Sequence, residues 1–254
     1  MQTTHFWNQL HLRRAKVIVL SILLLCGVAE SHAQGYFGLT NNSGSDDKRT
    51  SYGFFLGMHN ASYQLRYTPE FLNPANSATA AIHSIFPKFT PGFSLGFIGI
   101  YRFHDQANLI FTPKIGFYEY KVDVNYFDPS SGSSYRTEEL VNEATQVELP
   151  LVFKYRSMRF NNTRMFFVGG GSYLFNTKPP ADLNLDPIVT ARNDFTVEAG
   201  IGFEIYFKYF KFAPEIRFSH GVNNIYNRDR TPVEIQNSIE SIRRKSISIL
   251  LNFQ

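Results

Sequence analysis

The sequence predicts an all-β fold: an eight-stranded antiparallel transmembrane β-barrel of the outer-membrane type, following a cleaved signal peptide. Three observations predict it. Eight segments carry apolar residues at every second position, the joins between them alternate long and short, and the chain opens on an export leader. Outer-membrane barrels have this asymmetry because short turns face the periplasm and long loops face outward.

The leader comes first. Arg13, Arg14 and Lys16 precede an apolar run from Val17 to Ala29, and Ser31 and Ala33 place small residues at the −3 and −1 positions of a cleavage site, the pattern of a signal peptide over 1–33. The run is too short for a helical span, which takes about 20 residues. Cleavage after Ala33 removes Cys26, the only cysteine, so disulfides, thiol catalysis and thiolate metal sites are excluded from the mature chain. What remains suffices for one barrel, over 52–254, and no second folded domain. Residues 34–51 contain the aperiodic polar run Asn41 to Asp47 and are expected to form a flexible periplasmic lead-in.

The strands are expected at Tyr52 to Tyr67, Gly92 to Phe103, Ala107 to Tyr120, Thr145 to Tyr155, Arg164 to Phe175, Asp194 to Phe207, Phe210 to Gly221 and Lys245 to Phe253. Each is rich in β-branched and aromatic residues and bounded by turn-forming ones. The short joins centre on His104-Asp105, Asn161-Asn162 and Lys208-Tyr209. Of the 12 prolines, nine (Pro69, Pro74, Pro87, Pro91, Pro129, Pro179, Pro180, Pro187 and Pro232) are assigned to the four long joins. Pro113, Pro150 and Pro214 fall inside strands, where each removes a ladder donor and is expected to mark a bulge or bend.

The sixth strand shows the alternation most clearly. Phe195, Val197, Ala199, Ile201, Phe203 and Ile205 occupy one face, and Asp194, Thr196, Glu198, Gly200, Gly202 and Glu204 the other. The seventh sets Phe210, Phe212, Ile216 and Phe218 against Lys211, Glu215, Arg217 and Ser219, and the fourth sets Leu149, Leu151, Phe153 and Tyr155 against Gln146, Glu148, Lys154 and Arg156. A purely apolar face about ten residues long matches the height of a bilayer at a barrel's tilt, so the charged face belongs inside. Eight strands enclose an interior just wide enough for side chains. Gly96, Gly116, Gly200 and Gly202 are therefore expected to leave room for long polar neighbours in a plugged lumen.

Pairing strands six and seven across their tight turn places Arg217 opposite Gly200, diagonal to Glu198 and two positions from Glu215. Glu148, Lys154, Glu198, Glu204, Glu215 and Arg217 are thus expected to form an internal ion-pair network. Paired carboxylates also serve acid/base catalysis, but a filled barrel offers no substrate path, and the structural reading is preferred. Ser219 and His220 invite comparison with lipid hydrolases, yet neighbours on a strand point to opposite faces. His59, His83 and His104 lack metal-ligand spacing, and Gly169-Gly170-Gly171 opens no phosphate loop, so no cofactor is expected. Ile235, Ile239 and Ile242 stand at helical spacing before Arg243, Arg244 and Lys245. They predict a short amphipathic helix from Val233 to Arg243 that caps the barrel or meets a partner, its basic end toward anionic lipopolysaccharide. Beyond Ala33 the chain holds 22 basic and 20 acidic side chains, with no basic stripe of the kind that binds nucleic acid. No small-molecule substrate is expected.

Several segments together resemble the PorT family of Bacteroidetes outer-membrane proteins. They are Pro91 to Gly96, Glu148-Leu149-Pro150-Leu151 continuing to Ser157, Val168 to Gly171, Tyr209-Phe210-Lys211-Phe212-Ala213-Pro214-Glu215-Ile216, and Ser238 to Ile242. The chain departs from the usual barrel ending, since Gln254 follows Phe253. The resemblance implies a non-enzymatic component of the type IX secretion and gliding-motility apparatus, located in the outer membrane of a Gram-negative bacterium, with other secretion proteins and the lipid bilayer as partners. A generic structural or adhesive barrel is the main alternative. An outer-membrane lipid-modifying enzyme is less supported.

Overall fold

The computed structural model describes residues 48–73, 81–127, 135–179, 186–231 and 233–254. The expected leader at 1–33 and most of the lead-in at 34–51 lie outside the described residues.

Among the described residues ten strand segments follow in order: β1 (Thr50–Tyr67), β2 (Ile82–Lys88), β3 (Thr90–His104), β4 (Ala107–Phe111), β5 (Lys114–Phe127), β6 (Tyr135–Arg156), β7 (Thr163–Asn176), β8 (Asn193–Tyr206), β9 (Lys211–Gly221) and β10 (Ile239–Phe253). Only Phe89 separates β2 from β3, and only Thr112 and Pro113 separate β4 from β5. Each pair runs on as one stave: β2 and β3 both pair with β5, and β4 and β5 both pair with β6. Ten segments therefore make eight staves, and the chain ends close them into a ring. β1 pairs antiparallel with β3, from Thr50↔Tyr101 to Ala61↔Thr90, and with β10, from Phe54↔Phe253 to Tyr67↔Ile239. Closure pairs the strands on both sides at the level of the apolar belt, where bare amides would each cost several kcal/mol in hydrocarbon; beyond it β2 pairs only with β5.

The strand faces follow the alternation. Val197, Phe203, Ile216, Phe218, Leu151, Phe153, Ile247 and Ile249 stand exposed on the outside of the ring, while Glu198, Glu204, Glu215, Arg217, Glu148 and Lys154 are buried within it. The interior also holds two apolar clusters. One, including Phe55, Ile98, Ile110, Val152, Phe166 and Leu250, fills the ring itself. The other, including Tyr63, Tyr120, Val122, Ile188, Ile225 and Ile239, gathers inward residues of the long-join end together with loop residues.

Several expectations are corrected. The second stave begins at Ile82 rather than Gly92, so Pro87 and Pro91 sit in β2 and β3 and not in a long join. The fourth reaches back to Tyr135 and the third on to Phe127. The expected helix over Val233 to Arg243 is one turn, α2 (Val233–Gln236), and Ile239 already opens β10. Both Ile239 and Ile242 are buried, three apart on a strand, because the register slips between Arg66↔Ser241 and Tyr67↔Ile239. A bulge at Glu240 thus imitates helical spacing in the sequence. A second single turn, α1 (Pro69–Leu72), follows β1, with the Thr68 hydroxyl accepting from the Phe71 amide at 3.2 Å.

Of the in-strand prolines, Pro113 does break its stave, between β4 and β5. Pro150 and Pro214 lie inside unbroken β6 and β9. Pro214 interrupts pairing with β8 between Gly202↔Glu215 and Ile205↔Phe212 without changing register. The expected turn at Asn161-Asn162 is present, with Asn161 at φ 52°, a left-handed conformation that asparagine tolerates.

Candidate functional site

The inward side chains of β8 show how the lumen is filled, since Asp194, Thr196, Glu198, Glu204 and Tyr206 are all buried. An unpaired charge there would be expensive, and each charged group has an opposite partner. Glu204 sits among three cations, with Lys154 Nζ at 2.9 Å, Lys211 Nζ at 3.4 Å and Arg156 Nη1 at 3.4 Å. The Tyr206 hydroxyl donates to it at 3.1 Å, and Arg156 Nη2 donates to the Asp105 carbonyl of the first short turn at 2.7 Å. Lys154 Nζ also lies 3.8 Å above the Phe166 ring. Arg217 forms a separate cluster, its Nε 2.6 Å from Glu215 and its Nη1 3.1 Å from Glu198. Asn252 Nδ2 donates to Glu215 at 3.3 Å.

Glu148 joins neither cluster. It pairs with Lys114 at 3.0 Å and accepts from the Tyr118 hydroxyl. The six expected lumen residues are therefore divided among three ion-pair groups. A fourth, Asp194 with Arg244 at 3.2 Å, was not foreseen. Arg156, Lys211, Lys114, Asp194 and Arg244 complete these groups beyond the six expected residues, and all five carry the inward parity of their staves: Lys114 stands two before Gly116, and Arg244 shares the face of Ser248 and Asn252.

Glycines make room on this wall, but chiefly for rings. A Cβ at Gly202 would lie 2.4 Å from Phe166 Cζ, at Gly116 2.5 Å from Tyr118 Cε2, and at Gly96 2.8 Å from Phe55 Cε1. This corrects the expectation of long polar neighbours: Lys114 approaches Gly96 only through its Cβ, and backbone carbonyls crowd Gly96, Gly200 and Gly202 as well. Gly170 is needed because a Cβ there would meet the Leu151 carbonyl at 2.3 Å, whereas Gly169 faces open space.

At the long-join end two connections fold inward as a lid. Their described residues, within 186–192 and 222–238, are tied to each other by Ala191 N to Ile225 O at 2.6 Å and Asn227 N to Val189 O at 3.0 Å. They are tied to the wall by Asn142 Nδ2 to Ile188 O at 2.6 Å and Ile225 N to Ile242 O at 3.0 Å. Ile188, Ile225 and Ile235 pack onto the stacked rings of Tyr63 and Tyr120, 4.4 Å apart. Beside the lid, the outer face of β2, β5 and β6 sets charged residues among the exposed aromatics Phe86, Phe127 and Tyr135. Lys88 bridges Asp123 at 2.7 Å and Glu139 at 3.4 Å, and the Asp123 carboxylate holds its ammonium above the usual lysine range.

Ser219 and His220 point apart, as their parity requires: Ser219 is half-buried and His220 exposed on the outer wall. His59 is buried and stacks on Tyr118 at 3.9 Å. Among the described residues no group of three His, Cys, Asp or Glu side chains converges to hold a metal.

A family model for the outer membrane protein beta-barrel domain matches residues 32–227. Among solved structures, the chain is similar to the outer membrane protein OprG from Pseudomonas aeruginosa, at 10% identity, 79% of this chain, 94% of that one and a TM-score of 0.38. It is similar also to Neisserial surface protein A, at 10% identity, 81% and 98% coverage and a TM-score of 0.41. A third is the outer membrane protease OmpT from Escherichia coli, at 8% identity, 80% and 94% coverage and a TM-score of 0.33. A search of curated proteins finds no match.

Proposed function

The chain belongs to the family of outer membrane protein beta-barrel domains, and we propose that in the outer membrane it is a non-enzymatic component required for protein export by the type IX route. The observation that carries this reading is the filled ring. A lumen packed with ion pairs and roofed by a tied lid leaves no room for folded cargo, so the protein acts as an accessory or assembly factor through its outer surfaces. The resemblance of the Glu148 to Ser157 and Tyr209 to Ile216 segments to the PorT family supplies the pathway. Two surfaces are suited to partners: the extracellular extension of β2, β5 and β6, and the short-turn face, where Met158, Phe160 and Tyr209 are largely exposed. Deleting the gene should strand export cargo in the periplasm, measured by immunoblotting of periplasmic and culture fractions; normal secretion by the deletion strain refutes the assignment.

A second reading, an adhesive barrel, is favoured by the exposed Phe86, Phe127 and Tyr135 on the extension. It predicts that deletion changes surface binding while secretion stays intact.

A further inference from the structure

The outer wall of the ring carries a recess of about 520 Å³ whose lining includes Phe89, Val197, Ala199, Phe218, His220 and Lys245, within the range of about 300–1,000 Å³ typical of small-molecule sites. Its floor is apolar and belongs to the exposed belt, with Ile247 beside Phe218 across the β9–β10 ladder. Its upper rim is basic. On β10 the outward series Phe253, Leu251, Ile249, Ile247 gives way to Lys245 and Arg243, and on β9 Phe218 gives way to His220, the residue paired with Lys245. The belt ends at this level, on the side of the long joins, where the headgroups of the outer leaflet lie.

We propose that this recess binds one phosphorylated lipid of the outer leaflet, with an acyl chain against Val197, Ala199, Phe218 and Phe89 and the phosphate on Lys245 and Arg243, beside His220. Charge complementarity selects the occupant. Neither Lys245 nor Arg243 has an ion-pair partner among the described residues, and the nearby Glu240 is engaged by Arg66 at 3.0 Å. Lys245 Nζ lies 4.9 Å from the centroid of the Phe89 ring, which holds the ammonium over the mouth of the recess. The apolar floor opens sideways into the belt, so the anion that reaches it carries its own hydrocarbon. This site stands whether or not the export role holds, because it rests on the wall and not on the resemblance.

The test uses the full mature barrel in nanodiscs of zwitterionic phospholipid, doped with monophosphorylated lipid A or its dephosphorylated form, and read by native mass spectrometry. The barrel should retain one phosphorylated lipid, preferred about thirtyfold over the dephosphorylated form on the strength of two surface cations. The Lys245→Gln/Arg243→Gln variant should lose that preference, and Ala199→Trp, which fills the recess, should lower retention of both forms. Lys208→Gln, an exposed cation at the opposite, short-turn end, should change nothing. Equal retention of the two lipids by the unaltered protein overturns the proposal even if a variant fails to fold. Displacement of the lipid by inorganic phosphate alone overturns it too.

Discussion

Glu204 is the residue on which the lumen leans most, since three buried cations face its one carboxylate within 3.4 Å. Removing one partner of a buried pair leaves uncompensated charge and typically costs 3–5 kcal/mol. Glu204→Gln should therefore destabilise the barrel by about 3–5 kcal/mol, measured by urea unfolding of protein refolded in detergent. A loss under about 1 kcal/mol would mean the cluster behaves like a solvated surface pair. The adjacent glycines make a sharper contrast. Gly170→Ala drives a Cβ to within 2.3 Å of the Leu151 carbonyl, while Gly169→Ala meets no atom within 4 Å. The first should destabilise by about 1–3 kcal/mol, as overpacking does. The second should be neutral or slightly stabilising in the same titration. Equal effects would show that the ladder between β6 and β7 yields at this point.

At the level of elements, period-two alternation was enough to find all eight staves, because lipid outside and packed charge inside impose opposite demands on successive side chains. It ended too early on β2, β5 and β6, where the outward face changes from Phe93 and Phe117 to Glu119, Lys121 and Asp123. Beyond the belt, water replaces lipid outside, and the pattern loses the contrast by which it was read. In the polar network the partnership of Arg217 with Glu198 and Glu215 follows from the ladder of two adjacent strands, whereas Lys154 and Glu204 stand on staves that are not neighbours, and only the slant of the wall brings them together. The bulge at Glu240 was misread as a helix for a related reason: one extra residue converts spacing two into spacing three. Deleting Glu240 should restore simple alternation with Ile239 still inward, now two positions before Ile242, so its contact with the lid should survive. Glu240→Gln should do little, because the Arg66–Glu240 pair is exposed and such pairs contribute about 0–1 kcal/mol. Limited proteolysis of the outer loops checks both: cleavage between 222 and 238 should stay as slow in the deletion and in the substitution as in the unaltered protein, and faster cleavage in the deletion alone would show that the bulge itself holds the lid.

For the whole molecule, the arrangement resembles a sealed container more than a conduit. A wall closed by β1 with β3 and β10 satisfies the backbone, ion pairs and Phe55, Val152 and Phe166 occupy the ring, and the lid roofs the long-join end. These layers differ in what holds them. The ring relies on covalent proximity and ladder hydrogen bonds, whereas the lid is tied through Asn142, Ile225 and the packing of Ile188 and Ile235 onto Tyr63 and Tyr120. The lid should therefore be removable without opening the pore, because the charged groups beneath it stay buried by their own partners. In planar bilayers the intact barrel should give no steady conductance steps, and a variant with 222–238 replaced by a short glycine-serine linker should remain equally silent while keeping its heat-modifiable mobility on gels. Conductance appearing only in the shortened variant would make the lid the seal and the ion pairs a gate beneath it. Steps of porin size from the intact protein would instead remove the basis for assigning it an accessory role.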